Sequence, residues 1–373
     1  MNWTWPFRKA AAETKSAWPL IALSEPRAAS WGSREPSALI RDGYLKNAVA
    51  YRCVRMVAEA ASSIPLRTSH EGAARLLRQP NPDMAPVSFL EALFTDLLLT
   101  GNAFAEAVRM PGEDRVLALY PLKTATMRPV KDTRGWVEGW AIKAAGRERT
   151  VRRDADGWSA VLQVKFYNPL DDGMGLAPLA AARRALDLHN AGADWAKSLI
   201  DNSAKPSGAL VYSGGRMAPD QFDRLKEELA ANFAGAANAG RPLLLEGGLQ
   251  WQALSLSPAE MDFLDTRAAA AREIALALGV PPMLLGLPGD NTYANYREAN
   301  SAFWRMTVLP LASRLSEALS RWLDAPFGED VIVAPDLDQV PALSAEREAL
   351  WTRIDGASFL TAEEKRRFAG VGE

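Results

Sequence analysis

The sequence predicts an α+β fold, in which a block of strands interrupts a mainly helical chain. Three observations carry this. Apolar residues recur at helical spacing over separated segments, 46–62, 88–100, 178–201 and 257–279. Between 102 and 168 the period switches to two, in the short runs NAFAEAV, RVLALY, WVEGWAIK and VLQVKFY. These runs follow one another directly, which favours an antiparallel meander over a parallel sheet threaded by helices.

In chain order, residues 1–37 mix Trp3, Trp5, Trp18 and Trp31 with Pro6, Pro19, Pro26 and Pro36 and sustain no period. They predict a partly disordered arm that lacks its own core and orders only against a neighbour. The helix over 46–62 carries Val49, Cys53, Val57 and Ala60 on one stripe, so Cys53 is expected to be buried and inert. Ser88 and Glu91 spell a capping box ahead of Leu93, Leu97 and Leu98, and Gly101 supplies the stop. The strands that follow are separated by Pro111-Gly112, Arg134-Gly135 and Asp156-Gly157. Arg147, Arg149, Arg152 and Arg153 form the densest basic run. Glu148, Asp154 and Asp156 offset it, so it reads as a solvated face, with a nucleic-acid contact as the lesser alternative.

Pro178–Asp201 predicts a helix about 36 Å long. Arg183, Asp187, Asn190, Asp194, Lys197 and Asp201 make a charged stripe, beside an apolar stripe of Leu179, Ala182, Leu186, His189, Ala193, Ala196 and Ile200. A small inserted module comes next: strand GALVYS, a helix over 219–233, a Gly235–Gly240 loop and a hairpin turning at Gly247-Gly248. Ser257, Pro258 and Glu260 then mark a second helix start. Along it Met261, Leu264, Ala268, Ala271, Ala275 and Leu278 form a seam with small residues that permit close packing against a neighbouring helix. Gly279, Pro281 and Pro282 end it, and LLGLPGDNTYAN reads as a loop. A helix over 294–323, with Tyr296, Phe303, Leu311, Leu315 and Trp322 on one side, should kink at Pro310. From Pro326 the tail reads as loop until Thr361 and Glu364 spell a capping box.

Composition excludes several classes. Forty-three basic against 45 acidic residues, a formal charge of -2, argue against a basic clamp on nucleic acid. One cysteine and two distant histidines, His70 and His189, cannot build the usual zinc sites. No GxxxxGK[ST], HExxH or GxSxG motif is present, so neither a catalytic residue nor a cofactor is expected. Gly173-Met174-Gly175 lacks the third glycine of a dinucleotide fingerprint and reads as a loop leading into a helix. Asp171-Asp172 reads as a turn, with a metal-binding pair as the minor alternative, and Asp336 and Asp338 as loop. Ala275–Gly289 is too short and too proline-broken to span a membrane, and the charged start MNWTWPFRKAAAETK lacks a signal peptide's apolar core.

The segments AYRCVRMVAEAASSIPL, LTGNAFAEAV, NPLDDGMGLAPL, DNSAKPSGAL, RPLLLEGGLQW, REIALALGVPPMLLGLPGDNTYANYREAN and FWRMTVLP closely resemble portal proteins of long-tailed double-stranded DNA phages and of phage-derived gene transfer agents. The likeness runs from Tyr51 to Trp322. It implies one subunit of a dodecameric ring at a single capsid vertex, a DNA channel for packaging, head-tail joining and DNA exit. The implied partners are further copies of the chain, the major capsid protein, the terminase packaging motor, a head-tail adaptor and double-stranded DNA, with no membrane. The implied place is the portal vertex of a virion or gene transfer particle, after synthesis in the host cytoplasm. By segment, 38–175 resembles an α/β wing, 176–203 with 257–279 a two-helix stem and 204–256 an α/β clip. Residues 280–323 resemble a tunnel loop and kinked wing helix, and 324–373 a short crown. Leu287, Pro288, Gly289, Asp290, Asn291, Thr292 and Tyr293 fall where the family places its channel-facing tunnel loop. In the ring, the small-residue seam becomes an intersubunit contact. The alternatives are a metal-dependent nuclease around Asp171 and Asp172, or a monomeric scaffold or adaptor whose seam closes within one chain.

Overall fold

The computed structural model describes residues 36–110, 115–201, 208–212, 249–253, 263–287, 293–328 and 330–370, with a few positions between 218 and 227. The expected arm, the Gly235–Gly240 loop, the Gly247-Gly248 turn and the Ser257 helix start lie outside them.

Helix α1, Pro36–Leu39, runs into a wider π turn, Ile40–Leu45. Helix α2, Ala48–Ser62, starts where the Asn47 side chain accepts the backbone N–H groups of Val49 and Ala50. Its buried stripe contains Cys53, Val54, Val57 and Ala61. Burial pushes the Cys53 thiol up to about 12, so it behaves as a small apolar side chain. After strand β1, Leu66–Thr68, comes helix α3, Glu71–Arg78, capped by the His70 ring nitrogen, which accepts from the Ala73 N–H. Helix α4, Pro86–Thr100, begins earlier than expected. Pro86 occupies its first turn, and Ser88, already inside the helix, caps nothing. Gly101 ends it at φ 75°, in the left-handed region.

The strands form two sheets rather than one meander. β2 (Asn102–Arg109) pairs antiparallel with β3 (Val116–Leu122) on one side and with β7 (Val161–Lys165) on the other. β4 (Met127–Lys131), β5 (Val137–Ala144) and β6 (Arg147–Arg152) make the second sheet, in that order. Alternation along β2 explains the split. Ala103, Ala105 and Ala107 face the helical core, whereas Phe104 faces a small second core with Met127, Trp140, Ile142 and Val161. The Phe104 and Trp140 rings meet edge to face, with centroids 4.7 Å apart. The basic run sits on exposed β6, where Arg149 pairs with Glu106 and Arg152 with Glu138.

Helix α5, Pro178–Ala181, and helix α6, Arg183–Asp201, replace the single predicted helix, which breaks at Ala182. Strands β8, Gly208–Tyr212, and β9, Leu249–Ala253, pair antiparallel. Helix α7 is Phe263–Ala277. The long helix after it consists of α8 (Tyr293–Phe303), a π turn (Trp304–Val308) and α9 (Leu309–Phe327). The kink is therefore a widened turn just ahead of Pro310, which has no N–H to bond the carbonyl one turn back. Phe303, Leu311, Leu315 and Trp322 are buried, but Tyr296 is 51% exposed, because α8 extends away from the core that covers α9.

A second proline, Pro326, lies inside α9 and likewise cannot bond the Trp322 carbonyl. The Trp158 indole N–H donates to that carbonyl at 2.7 Å, and the Trp322 indole donates to the Ser159 carbonyl at 2.8 Å. The two rings stack, so the loop before β7 and the end of α9 hold each other.

The tail is not a loop. Strand β10, Val333–Pro335, pairs antiparallel with β1, joining the tail to the segment between α2 and α3. Helices α10 (Ser344–Asp355) and α11 (Ala362–Ala369) follow. Asp336 accepts the Asp338 N–H to start a 3-10 turn, and Asp338 pairs with Arg347 at 2.6 Å. The Thr361 and Glu364 capping box forms as expected.

Candidate functional site

Helices α6 and α7 lie side by side and leave the main apolar core together. Leu179, Ala182, Ala185 and Leu186 share that core with Ala270, Ile274, Ala275 and Leu278. Burial covers the start of α6 but the later part of α7, so the two helices run in opposite directions. Beyond Leu186 the apolar stripe of α6 emerges: His189 is half-buried and Ala193 exposed. Arg183 and Asp187 form the expected pair at 3.9 Å.

The predicted seam divides. Ala271 (3% exposed), Ala275 (0%) and Leu278 (3%) are covered by the chain itself, so these three are not free to meet a neighbour. Ala268 is partly buried. Met261 and the side chain of Leu264 lie outside the described residues. Opposite the buried face, α7 exposes Ala269, Glu273 and Leu276.

Three polar contacts tie α5, α6 and α7 to the rest of the fold. The first surrounds Asn102, which is 1% exposed. Its Oδ1 accepts from the Gly175 N–H at 2.7 Å and from Gln163 Nε2 at 3.0 Å, while its Nδ2 donates to the Thr100 and Gly175 carbonyls. Gln163 also donates to the Gly173 carbonyl at 2.9 Å, and Asn168 to that of Met174 at 3.0 Å. A Cβ on Gly175 would sit 2.0 Å from the Gly101 carbonyl oxygen, so only glycine allows this approach. The segments LTGNAFAEAV and NPLDDGMGLAPL thus join in space, and Gly173-Met174-Gly175 leads into α5 as expected. The second contact joins α2 to α6. Asn47 Nδ2 donates to Asn190 Oδ1 at 2.9 Å and lies 3.2 Å from His189 Nδ1, and Asn190 donates to the Asp42 carbonyl at 2.7 Å. Burial, with the charge of Arg267 as a lesser cause, holds His189 below its ordinary value. In the third contact the Thr307 hydroxyl, on the π turn, donates to the Gly279 carbonyl at 2.6 Å, where α7 stops at φ 67°.

In sequence, the third contact brackets the expected tunnel loop. Residues 288–292, including Pro288, Gly289, Asp290, Asn291 and Thr292, lie outside the described residues. Leu287 follows the 3-10 turn Pro282–Leu285, and Tyr293 opens α8. Asp171 accepts the Gly173 N–H at 2.8 Å, closing the expected turn, and faces Lys131 at 3.8 Å. Among the described residues no three His, Cys, Asp or Glu side chains gather to hold a metal, and no helix is long and apolar enough to cross a membrane.

Sequence reading missed Asn47, Asn102, Trp158 and Thr307. Asn47 stands directly before an apolar-periodic helix and was legible as an N-cap. The partners of the other three are remote in sequence and leave no local signal.

The family model for phage portal proteins matches residues 48–370. A protein of Rickettsia bellii (strain RML369-C) is 39% identical over 342 residues, covering 88% of each chain. The probable portal protein of Streptomyces phage phiC31 is 30% identical over 330 residues, covering 83% of this chain and 71% of its own. Among solved structures, a chain from the neck of the native gene transfer agent (GTA) particle, determined with C12 symmetry, is 45% identical. It superposes with a TM-score of 0.69 over 92% of this chain and 95% of its own. The matched region runs from α2 through α11, and on that evidence the chain belongs to the phage portal protein family.

Proposed function

We propose that the chain is one of twelve subunits of a ring that forms a DNA channel at one vertex of a phage capsid or gene transfer particle. The observation that carries this reading is the likeness, over 92% of the chain, to a component of a gene transfer agent neck with C12 symmetry. The role is structural rather than enzymatic. Charge agrees with it, since near-neutrality leaves duplex DNA free to slide where many phosphate contacts would hold it. The helix pair α6 and α7 serves as the stem, and the module over 204–256 docks the terminase motor and later the head-tail adaptor. The wing meets the major capsid protein. Residues 287–293 line the channel, where Asp290 places a ring of negative charge opposite the phosphates.

Two measurements test this. Native mass spectrometry should find a particle twelve times the mass of the 40.6 kDa chain; a monomer would favour a scaffold or adaptor. Asp290→Lys should leave that mass unchanged and make the ring retain duplex DNA at low salt, with release as salt rises. Equal retention by wild-type and Asp290→Lys rings would remove Asp290 from the channel.

A further inference from the structure

The far sides of α6 and α7 carry opposite charges that no described residue of the chain pairs. Arg184 is exposed on α6, opposite the face that buries Ala182, Ala185 and Leu186. Glu273 is exposed on α7, opposite the face that buries Ala271, Ala275 and Leu278. Among the described residues neither makes an ion pair or hydrogen bond, whereas neighbouring Arg183 is paired with Asp187. Each charge has apolar company. On α6 this is Leu188, 47% exposed, and on α7 it is Leu276, 79% exposed, with Ala269 one turn away.

Heights along the stem match as well. Arg184 lies within the buried stretch 182–186 at the start of α6 and Glu273 within the buried stretch 270–278 of α7, so both stand at the level of the shared core. Leu188 and Ala269 each lie just beyond it, where the two helices leave the core. Rotation about a ring axis running along the stem preserves height, so each pair can meet only between different copies of the chain.

We propose that the outer face of α6 docks on the outer face of α7 of the next copy, with Arg184 paired to Glu273 and Leu188 packed on Ala269. This contact rests on the ring reading above. It takes the place of the seam through Ala271, Ala275 and Leu278, which the chain covers with its own core. It is a head-to-tail contact, in which two different faces meet and the ring closes by repetition. The charge pair sets partner and register, and the apolar residues beside it exclude water.

Cross-linking and charge reversal test it in the full chain. Cys53, the sole cysteine, is buried, so introduced thiols report alone. Oxidised rings of the double variant Leu188→Cys/Ala269→Cys should run on denaturing gels as a ladder up to the full ring. A mixture of the two single variants should stop at dimers. Arg184→Glu and Glu273→Arg should each abolish most ring assembly by native mass spectrometry, and the two together should restore it. Circular dichroism should show all variants folded. A wild-type ring whose cysteine variant gives no ladder, or gives only a bridge within one chain, overturns the contact. So do single reversals that assemble like wild type, the result expected if the α7 face lines the channel instead. A monomeric wild-type chain overturns the ring reading and this contact with it.

Discussion

In α4 the side chains Phe89, Leu90, Leu93, Phe94, Leu97, Leu98 and Leu99 are all buried, because α2 covers one flank and the β2 sheet another. In α6 burial of the apolar stripe stops at Leu186, and Leu188, Ala191 and Ala193 stand exposed. Both helices have apolar stripes of similar length, yet one is closed by its own chain and the other is left open. The difference separates two kinds of apolar surface. An apolar stripe buried along its whole length belongs to a finished core, whereas an apolar stripe running out from a core marks where another molecule is needed.

The first way to break that contrast is to cut into both regions. Leu97→Ala, at a buried position of α4, should lower subunit stability by about 3 kcal/mol in urea unfolding. Ala193→Ser, on the exposed stretch of α6, should change it by less than about 0.5 kcal/mol. Similar losses for the two would mean that the stem is closed within one chain after all.

The joint between the regions gives the next effect. Asn102→Ala removes two donors and an acceptor that serve Gly175, Gln163 and Thr100. The expected loss is about 2 kcal/mol, since the Gly175 N–H and the Thr100 and Gly175 carbonyls lose these partners at a half-buried joint. Hydrogen exchange should rise at Phe166–Ala177 more than in α2. A uniform rise would show that Asn102 supports the whole wing rather than the joint.

The smallest effect is a pH dependence. Burial and the nearby charge of Arg267 hold folded His189 below its ordinary value of 6.5. Between that value and the lower folded one, the unfolded chain binds the extra proton, so stability rises with pH through this window and its contribution is lost as pH falls below about 6.5. His189→Gln should flatten the melting temperature over this range. An unchanged slope would place the titration elsewhere.

The C-terminal helices sharpen the contrast from another side. From Ser344 to Gly370 no residue is buried, and Trp351, Phe359 and Phe368 are exposed. The Thr361 and Glu364 capping box and the Arg347 contacts to Asp338 and the Ala369 carbonyl still hold the two helices in place. Local polar bonds thus set their geometry without an apolar core of their own.

How much of this was legible depended on distance along the chain. The stripe of α2, the stop at Gly101, the strand alternation and the cap at Thr361 follow from neighbours a few residues apart, and sequence alone determined them. The portal resemblance was legible for a related reason, since it lies in ordered local segments. Strand pairing was not. Alternation says which residues of β2 share a face, but β7 returns to β2 across more than fifty residues, so nothing local distinguishes two sheets from one meander. The tail's β10 was hidden likewise, because its partner β1 lies at the other end of the wing. Helix α7 is the clearest case. Periodicity placed Ala271, Ala275 and Leu278 on one apolar face of α7, and that face exists. Only the tertiary structure decided that the chain's own helices cover it, because periodicity gives the direction of an apolar face and contains no information about which molecule will bury it.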